Sequence, residues 1–147
     1  MTPGVRDKHE VWWCRAAAGI MRLLGQPGWM EDYALTVFGV IYTPSFPVPE
    51  STMCHELVHV RQQRSWPWAL RWLWHLAYMI FPLPVFLAWF RWKQEREAYL
   101  ENIVRDGYDA EQVVEILWRG YFWLWPRTWM RRWFEKNRPG TIGAAAK

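Results

Sequence analysis

Apolar positions recur at helical spacing over most of the chain, and one short stretch departs from that pattern. Residues 10–24 place Trp12, Ala16 and Ile20 along one face, which predicts a helix that ends at Gly25. Residues 34–43 are instead rich in β-branched and aromatic side chains. They predict two short strands, near 33–38 and 40–44, with Gly39 as a bend or bulge between them.

A proline-rich run, residues 44–49, leads into the next predicted helix. Ser51 or Thr52 is suited to cap its first amides. The helix is predicted to run to about Ser65, because the residue before Pro67 disfavours helical backbone angles.

Residues 66–92 form the most apolar part of the chain, and residues 76–90 carry no charge. This run is shorter than the roughly 20 apolar residues that a membrane-spanning helix needs. Pro82 and Pro84 interrupt it, so we interpret it as two helices folded back as a hairpin that turns at residues 81–84. A re-entrant or interfacial membrane segment is the alternative interpretation.

The second arm of this hairpin continues through an acidic cluster to Glu101, and Gly107 ends it. Asp109 is suited to cap a further helix that reaches Leu124, and residues 127–136 form a last short one. The termini, 1–8 and 138–147, are expected to be flexible. The 147 residues therefore predict a single α+β domain that is mostly α-helical.

The amino-acid composition excludes some classes of protein but does not identify a single one. Fifty-two per cent of the residues are hydrophobic, which excludes disorder for most of the chain, and 14 are tryptophan. The net charge of +4 comes from arginines scattered among the tryptophans. That pattern permits nucleic-acid or anionic-membrane contact, but arginine stems covering aromatic surface are the preferred explanation. We expect no nucleic-acid partner, and peripheral membrane contact through the Trp-rich segments stays open.

Only two cysteines are present, Cys14 and Cys54, and they do not form a Cys-x-x-Cys pair. This usage fits a reducing compartment, with a single disulfide bridge as the alternative, and no secretory signal is apparent. The expected location is the cytoplasm, with membrane association as the alternative. Cys54 is expected to be a small buried hydrophobe.

The candidate chemistry lies in residues 54–63, which contain His55-Glu56-Leu57-Val58-His59. On a helix, positions i and i+4 share one face, so His55 and His59 could bind one Zn²⁺. Glu56, beside them, is suited to act as the general base on a water molecule. A histidine pair also arises by chance, and the helical context favours a metal site over that explanation.

A zinc enzyme usually has three protein ligands. Gln62 and Ser65 stand where the metzincin extension needs Gly and His, which excludes that class. His75 is one candidate third ligand, although a packed or capping role suits it better. The other candidates are glutamates on the later helix: Glu95, Glu97 and Glu101. Glu95 would point to a different face from Glu101.

This arrangement resembles the gluzincin metallopeptidases, most closely their compact minigluzincin-like forms. The similarity covers roughly residues 34–108 and adds Glu95-Arg96-Glu97-Ala98-Tyr99 to the His-Glu-x-x-His motif. It implies a zincin-like core, with a short β-hairpin before the motif helix and a helical hairpin that carries the third ligand. It also implies Glu97 as that ligand and Glu101 as the partner that orients a ligand histidine.

The sequence thus predicts a zinc-dependent metalloendopeptidase with one Zn²⁺ per chain, acting on peptides or unfolded proteins. A donor for the oxyanion is also needed, and Tyr99, His75, Tyr108 and Arg61 are candidates. The alternative is a non-catalytic membrane-interface or protein-binding module with a structural or vestigial metal site. The oligomeric state is left open.

Overall fold

The computed structural model describes residues 3–23, 25–79, 86–120 and 125–138. Contacts divide the chain into an N-terminal unit, Met1–His75, and a C-terminal unit, Leu76–Lys147. The elements in chain order are β1 (Gly4–Asp7), α1 (Trp12–Leu23), α2 (Trp29–Asp32), β2 (Leu35–Val37), β3 (Val40–Thr43), α3 (Glu50–Arg64), a 3₁₀ turn (Trp68–Leu70), α4 (Arg71–Met79), α5 (Phe86–Arg105), α6 (Ala110–Gly120) and α7 (Arg127–Asn137). The prediction of a mostly helical α+β protein is confirmed at this level.

The sheet of the N-terminal unit has the strand order β1-β3-β2. β2 and β3 form the predicted antiparallel hairpin, with Thr36 opposite Ile41. β1 pairs in parallel with β3, so the prediction that residues 1–8 are a flexible tail is wrong for Gly4–Asp7. The sequence Gly-Val-Arg-Asp has little strand propensity, and its partner strand is more than 30 residues away.

Lys8 follows β1 and is completely buried. Its ammonium group donates to the backbone oxygens of Trp29 and Tyr33, the latter at 2.7 Å. Burial lowers the pKa of Lys8 to about 8. The end of the first strand is therefore tied to the segment that carries α2.

The hairpin between β2 and β3 turns on two residues, Phe38 and Gly39, which have φ angles of 48° and 75°. Positive φ at both central positions is the feature of a type I′ turn, whose twist matches that of the strands. Gly39 was predicted at the turn and adopts this conformation easily. Phe38 does so at a steric cost, so other contacts must hold the turn in place.

The helix predicted at residues 10–24 is present as α1, and the predicted stop is confirmed. Gly25 has a φ of 80°, and the amide of Gln26 donates to the carbonyl of Met21 at 2.9 Å. The face that packs carries Cys14, which is fully buried. The apolar stripe that includes Trp12 and Ile20 is exposed instead.

α3 ends at Arg64 with Ser65 at its C-cap, as predicted. Its start differs, because Pro49 occupies the N-cap and supplies no side-chain hydrogen bond. Ser51 and Thr52 lie inside the first turn, so the prediction that one of them is the cap is wrong. Cys54 on this helix is buried, as expected.

The C-terminal unit has its own core, formed by α5, α6 and α7. Its buried members are Trp92, Ile103, Val113, Val114, Leu117, Met130 and Phe134. Asp109 accepts from the amide of Glu111 at the predicted start of α6. The predicted helical turn at 81–84, the end of the α6 prediction at Leu124 and most of the predicted tail at 138–147 lie outside the described residues.

Among the helices that the structure describes, none combines the length and the apolar character needed to cross a membrane.

Candidate metal centre

α3 brings the two motif histidines together as the i, i+4 spacing requires. The Nε2 atoms of His55 and His59 lie 3.2 Å apart, and their rings meet at an interplanar angle of 76°. Tetrahedral zinc with Zn–N bonds near 2.0 Å separates two ligand nitrogens by about 3.3 Å. The spacing of the two imidazoles therefore fits a shared metal ion.

Glu95, on α5, completes the group. One ligand atom from each of His55, His59 and Glu95 lies within 4.8 Å of the other two, a set that could hold a metal ion. Glu95 is only 2% exposed, and a buried carboxylate needs a cation or hydrogen bonds to offset its desolvation.

The glutamate in this group is not the one that the gluzincin resemblance implied. Glu97 and Glu101 are both exposed on α5. Two residues along a helix correspond to a rotation of about 200°, so Glu95 and Glu97 face nearly opposite directions. Among the described residues, the group that could hold a metal ion contains Glu95 and not Glu97 or Glu101.

Two side chains of the C-terminal unit position the Glu95 carboxylate. The hydroxyl of Tyr78 on α4 donates to its Oε1. Arg91, one turn earlier on α5, places its Nε 3.7 Å from the same oxygen and its guanidinium over the ring of Tyr78. Sequence reasoning missed Tyr78. The i, i+4 spacing of Arg91 and Glu95 was visible but is common on exposed helices.

His59 has its own orienting partner within α3. Its Nδ1 lies 2.9 Å from the Oε1 of Gln62, which is buried. A proton on Nδ1 donated to this amide oxygen leaves a lone pair on Nε2, the atom that lies beside His55, and this is the tautomer that a metal requires. Gln62 thus supplies the acceptor that the resemblance assigned to Glu101. The sequence signal for this contact was the spacing of three residues between His59 and Gln62, which puts them on the same side of a helix.

Glu56, the predicted general base, is 4% exposed, and its carboxylate is held from the sheet. The hydroxyl of Thr36 on β2 donates to its Oε2 at 2.7 Å. This bond fixes one oxygen of the carboxylate. It also connects the predicted hairpin to the motif helix at the residue proposed to move protons.

Two further side chains fasten the same hairpin. Gln63 on α3 donates to the carbonyl of Thr36 at 2.8 Å and accepts from the amide of Gly39 at 3.0 Å. The Nε2 of His75 accepts from the amide of Phe38 at 3.1 Å, and the two rings are in contact. These bonds explain how Phe38 is kept at its positive φ.

His75 therefore has the packed role that the sequence favoured. Burial lowers its pKa, which keeps the imidazole neutral and its Nε2 able to accept. The Nε2 of His75 is therefore not available to donate to an oxyanion, and His75 is absent from the metal-holding group found among the described residues. Of the other proposed donors, Tyr99 and Tyr108 pack against the core of the C-terminal unit, and Arg61 is exposed.

Gln63→Leu is expected to lower the free energy of unfolding by about 2–3 kcal/mol, because the Gly39 amide and the Thr36 carbonyl lose the hydrogen bonds that Gln63 makes to them. Urea denaturation followed by circular dichroism measures the change. The matched control is Gln112→Leu at an exposed position of α6, where we expect less than about 0.5 kcal/mol. Equal midpoints for the two variants would show that Gln63 does not hold the hairpin.

Comparison with known proteins gives no match: no family model, no curated protein and no solved structure corresponds to this chain.

Proposed function

We propose that the protein is a zinc-dependent hydrolase, most specifically a metalloendopeptidase. The observation that carries the proposal is the convergence of His55, His59 and Glu95, with the carboxylate of Glu56 on the same helix as the histidines. The likeness of the His-Glu-x-x-His motif to gluzincins supports a peptidase. The choice of Glu95 departs from the spacing in that family.

The donor set is what selects zinc. Two imidazole nitrogens and one carboxylate oxygen are typical ligands of catalytic zinc, and three protein ligands leave one position for water or substrate. When bound, zinc would act as a Lewis acid and lower the pKa of a water molecule toward neutrality. One ion per chain is expected, because the described residues contain a single group of this kind.

Glu56 would take the proton from the attacking water and pass it to the leaving amine. The bond from Thr36 occupies one side of the carboxylate and leaves the other oxygen to exchange protons. Holding the carboxylate in one orientation before substrate arrives reduces the entropic cost of the proton transfer.

Metal analysis of the purified protein tests this proposal. We expect about one zinc per chain, loss of hydrolysis of an unfolded protein substrate on chelation, and recovery when zinc is added back. Magnesium added to the chelated protein is the control and should restore nothing, because a site with two imidazoles disfavours it. Hydrolysis that survives complete removal of the metal would contradict the proposal.

A further inference from the structure

An exposed aromatic face follows directly after the motif helix. Trp68 in the 3₁₀ turn is 83% exposed, and Trp72 and Leu76 on α4 are 54% and 48% exposed. The three residues are spaced four apart, which puts Trp72 and Leu76 on one side of α4, with Trp68 one turn before them. We call these three residues the Trp68 face. Large apolar side chains clustered in this way usually mark a contact surface.

The opposite side of the same helix is anchored. Trp74 is 1% exposed, and the neighbouring His75 bonds the turn of the β2–β3 hairpin. α4 is thus fixed in rotation by buried side chains, so the exposure of Trp72 and Leu76 does not come from a poorly packed helix. The Trp68 face is directed outward by the packing of the other face.

The charged residues that flank this face along the sequence have one sign. No Asp or Glu occurs in the sequence between Glu56 and Glu95, whereas this interval contains four arginines and one lysine. Arg61 and Arg64, at the end of α3 just before the Trp68 face, are both exposed. A complementary partner would offer an apolar region that accepts the indole rings, with negative charge next to that region.

We propose that the Trp68 face docks the protein on the surface of a membrane that contains anionic lipid. Indole rings favour the boundary between headgroups and acyl chains, where the ring is apolar and its N–H can remain hydrated. Basic residues beside an apolar helical face add attraction to anionic headgroups. Docking by this face would bring polypeptide segments near the membrane close to the β2–β3 hairpin, which α4 supports through His75.

Flotation with lipid vesicles tests this inference. Wild-type protein should float with vesicles of phosphatidylcholine mixed with phosphatidylglycerol, and less with phosphatidylcholine alone or at high salt. The double variant Trp68→Gln, Trp72→Gln should bind the anionic vesicles at least about tenfold more weakly. Arg64→Gln should reduce binding several-fold, mainly at low salt.

Trp12→Gln is the matched control, because Trp12 is also highly exposed but lies on α1. It should float like wild type, with thermal melting confirming that every variant is folded. Loss of flotation in Trp12→Gln rather than in the double variant would overturn the assignment to the Trp68 face. Binding of a single-stranded oligonucleotide that requires Trp68 and Trp72, without flotation, would assign the face to nucleic acid and also overturn it.

The inference is independent of the proposed hydrolase activity. A variant of the proposed base, Glu56→Gln, should float as well as wild type, because Glu56 is buried away from solvent. Flotation and hydrolysis can therefore fail separately, and each result is read on its own.

Discussion

Glu56→Gln is expected to lower kcat/KM for hydrolysis of an unfolded protein substrate by about 10²- to 10⁴-fold, the usual contribution of a general base. The amide keeps the shape of the carboxylate, and its oxygen can still accept from the Thr36 hydroxyl. What it loses is the ability to take a proton. Zinc content should therefore stay at the wild-type level, since the ligand side chains are unchanged.

The matched control for this change is Glu50→Gln, the same substitution at an exposed position in the first turn of the same helix. It should leave kcat/KM within about twofold of wild type, because surface substitutions of this kind have small effects. Zinc content and melting temperature are measured for both variants. Full activity in Glu56→Gln with zinc bound would remove Glu56 as the base, whatever the metal ligands are.

The parts of this fold that the sequence predicted are those set by local spacing. The β2–β3 hairpin and the extent of α3 depend on neighbouring residues: β-branched runs, a glycine that accepts positive φ, and a proline that ends a helix. β1 depends instead on pairing with a strand more than 30 residues away, and its four residues carry little signal of their own. The burial of Lys8 could not be predicted either, because lysine is rarely buried and nothing in the sequence marks this one as an exception.

The candidate site divides in the same way. His55, Glu56 and His59 lie within two turns of one helix, so their spacing alone put them together. The third member comes from a helix about 40 residues later, and the sequence showed only an acidic cluster there. Which glutamate of this cluster is buried depends on how α5 is rotated about its axis, and that rotation is set by the packing of its core residues, such as Trp92 and Ile103. That rotation follows from tertiary packing and not from the spacing of acidic residues.

The partners that orient the site were also hidden for a physical reason. Gln62, Tyr78 and Thr36 are polar residues of types that occur mostly on surfaces, and each is identified only by the atom it contacts. Once a site is known, an acceptor for each ligand histidine can be expected in general terms. Several side chains in reach of the same helix satisfy that expectation, so a sequence cannot choose among them.

The choice between Glu95 and Glu97 leads to the second large effect. Glu95→Gln is expected to weaken zinc binding by on the order of a hundredfold or more, because it removes an anionic ligand from a site with two neutral imidazoles. The glutamine can still accept from Tyr78, so the side chain stays in place and the loss reports on the metal. Hydrolysis at limiting zinc should fall in parallel.

Glu97→Gln, two residues along α5 and exposed, is the matched control and should bind zinc with wild-type affinity. Competition with a chromophoric chelator measures both affinities, and melting temperatures show whether either variant is unfolded. The reverse pattern, with Glu97→Gln losing zinc and Glu95→Gln retaining it, would restore the ligand spacing of the gluzincins. Because the two side chains point about 200° apart on one helix, one rotation of α5 cannot satisfy both assignments.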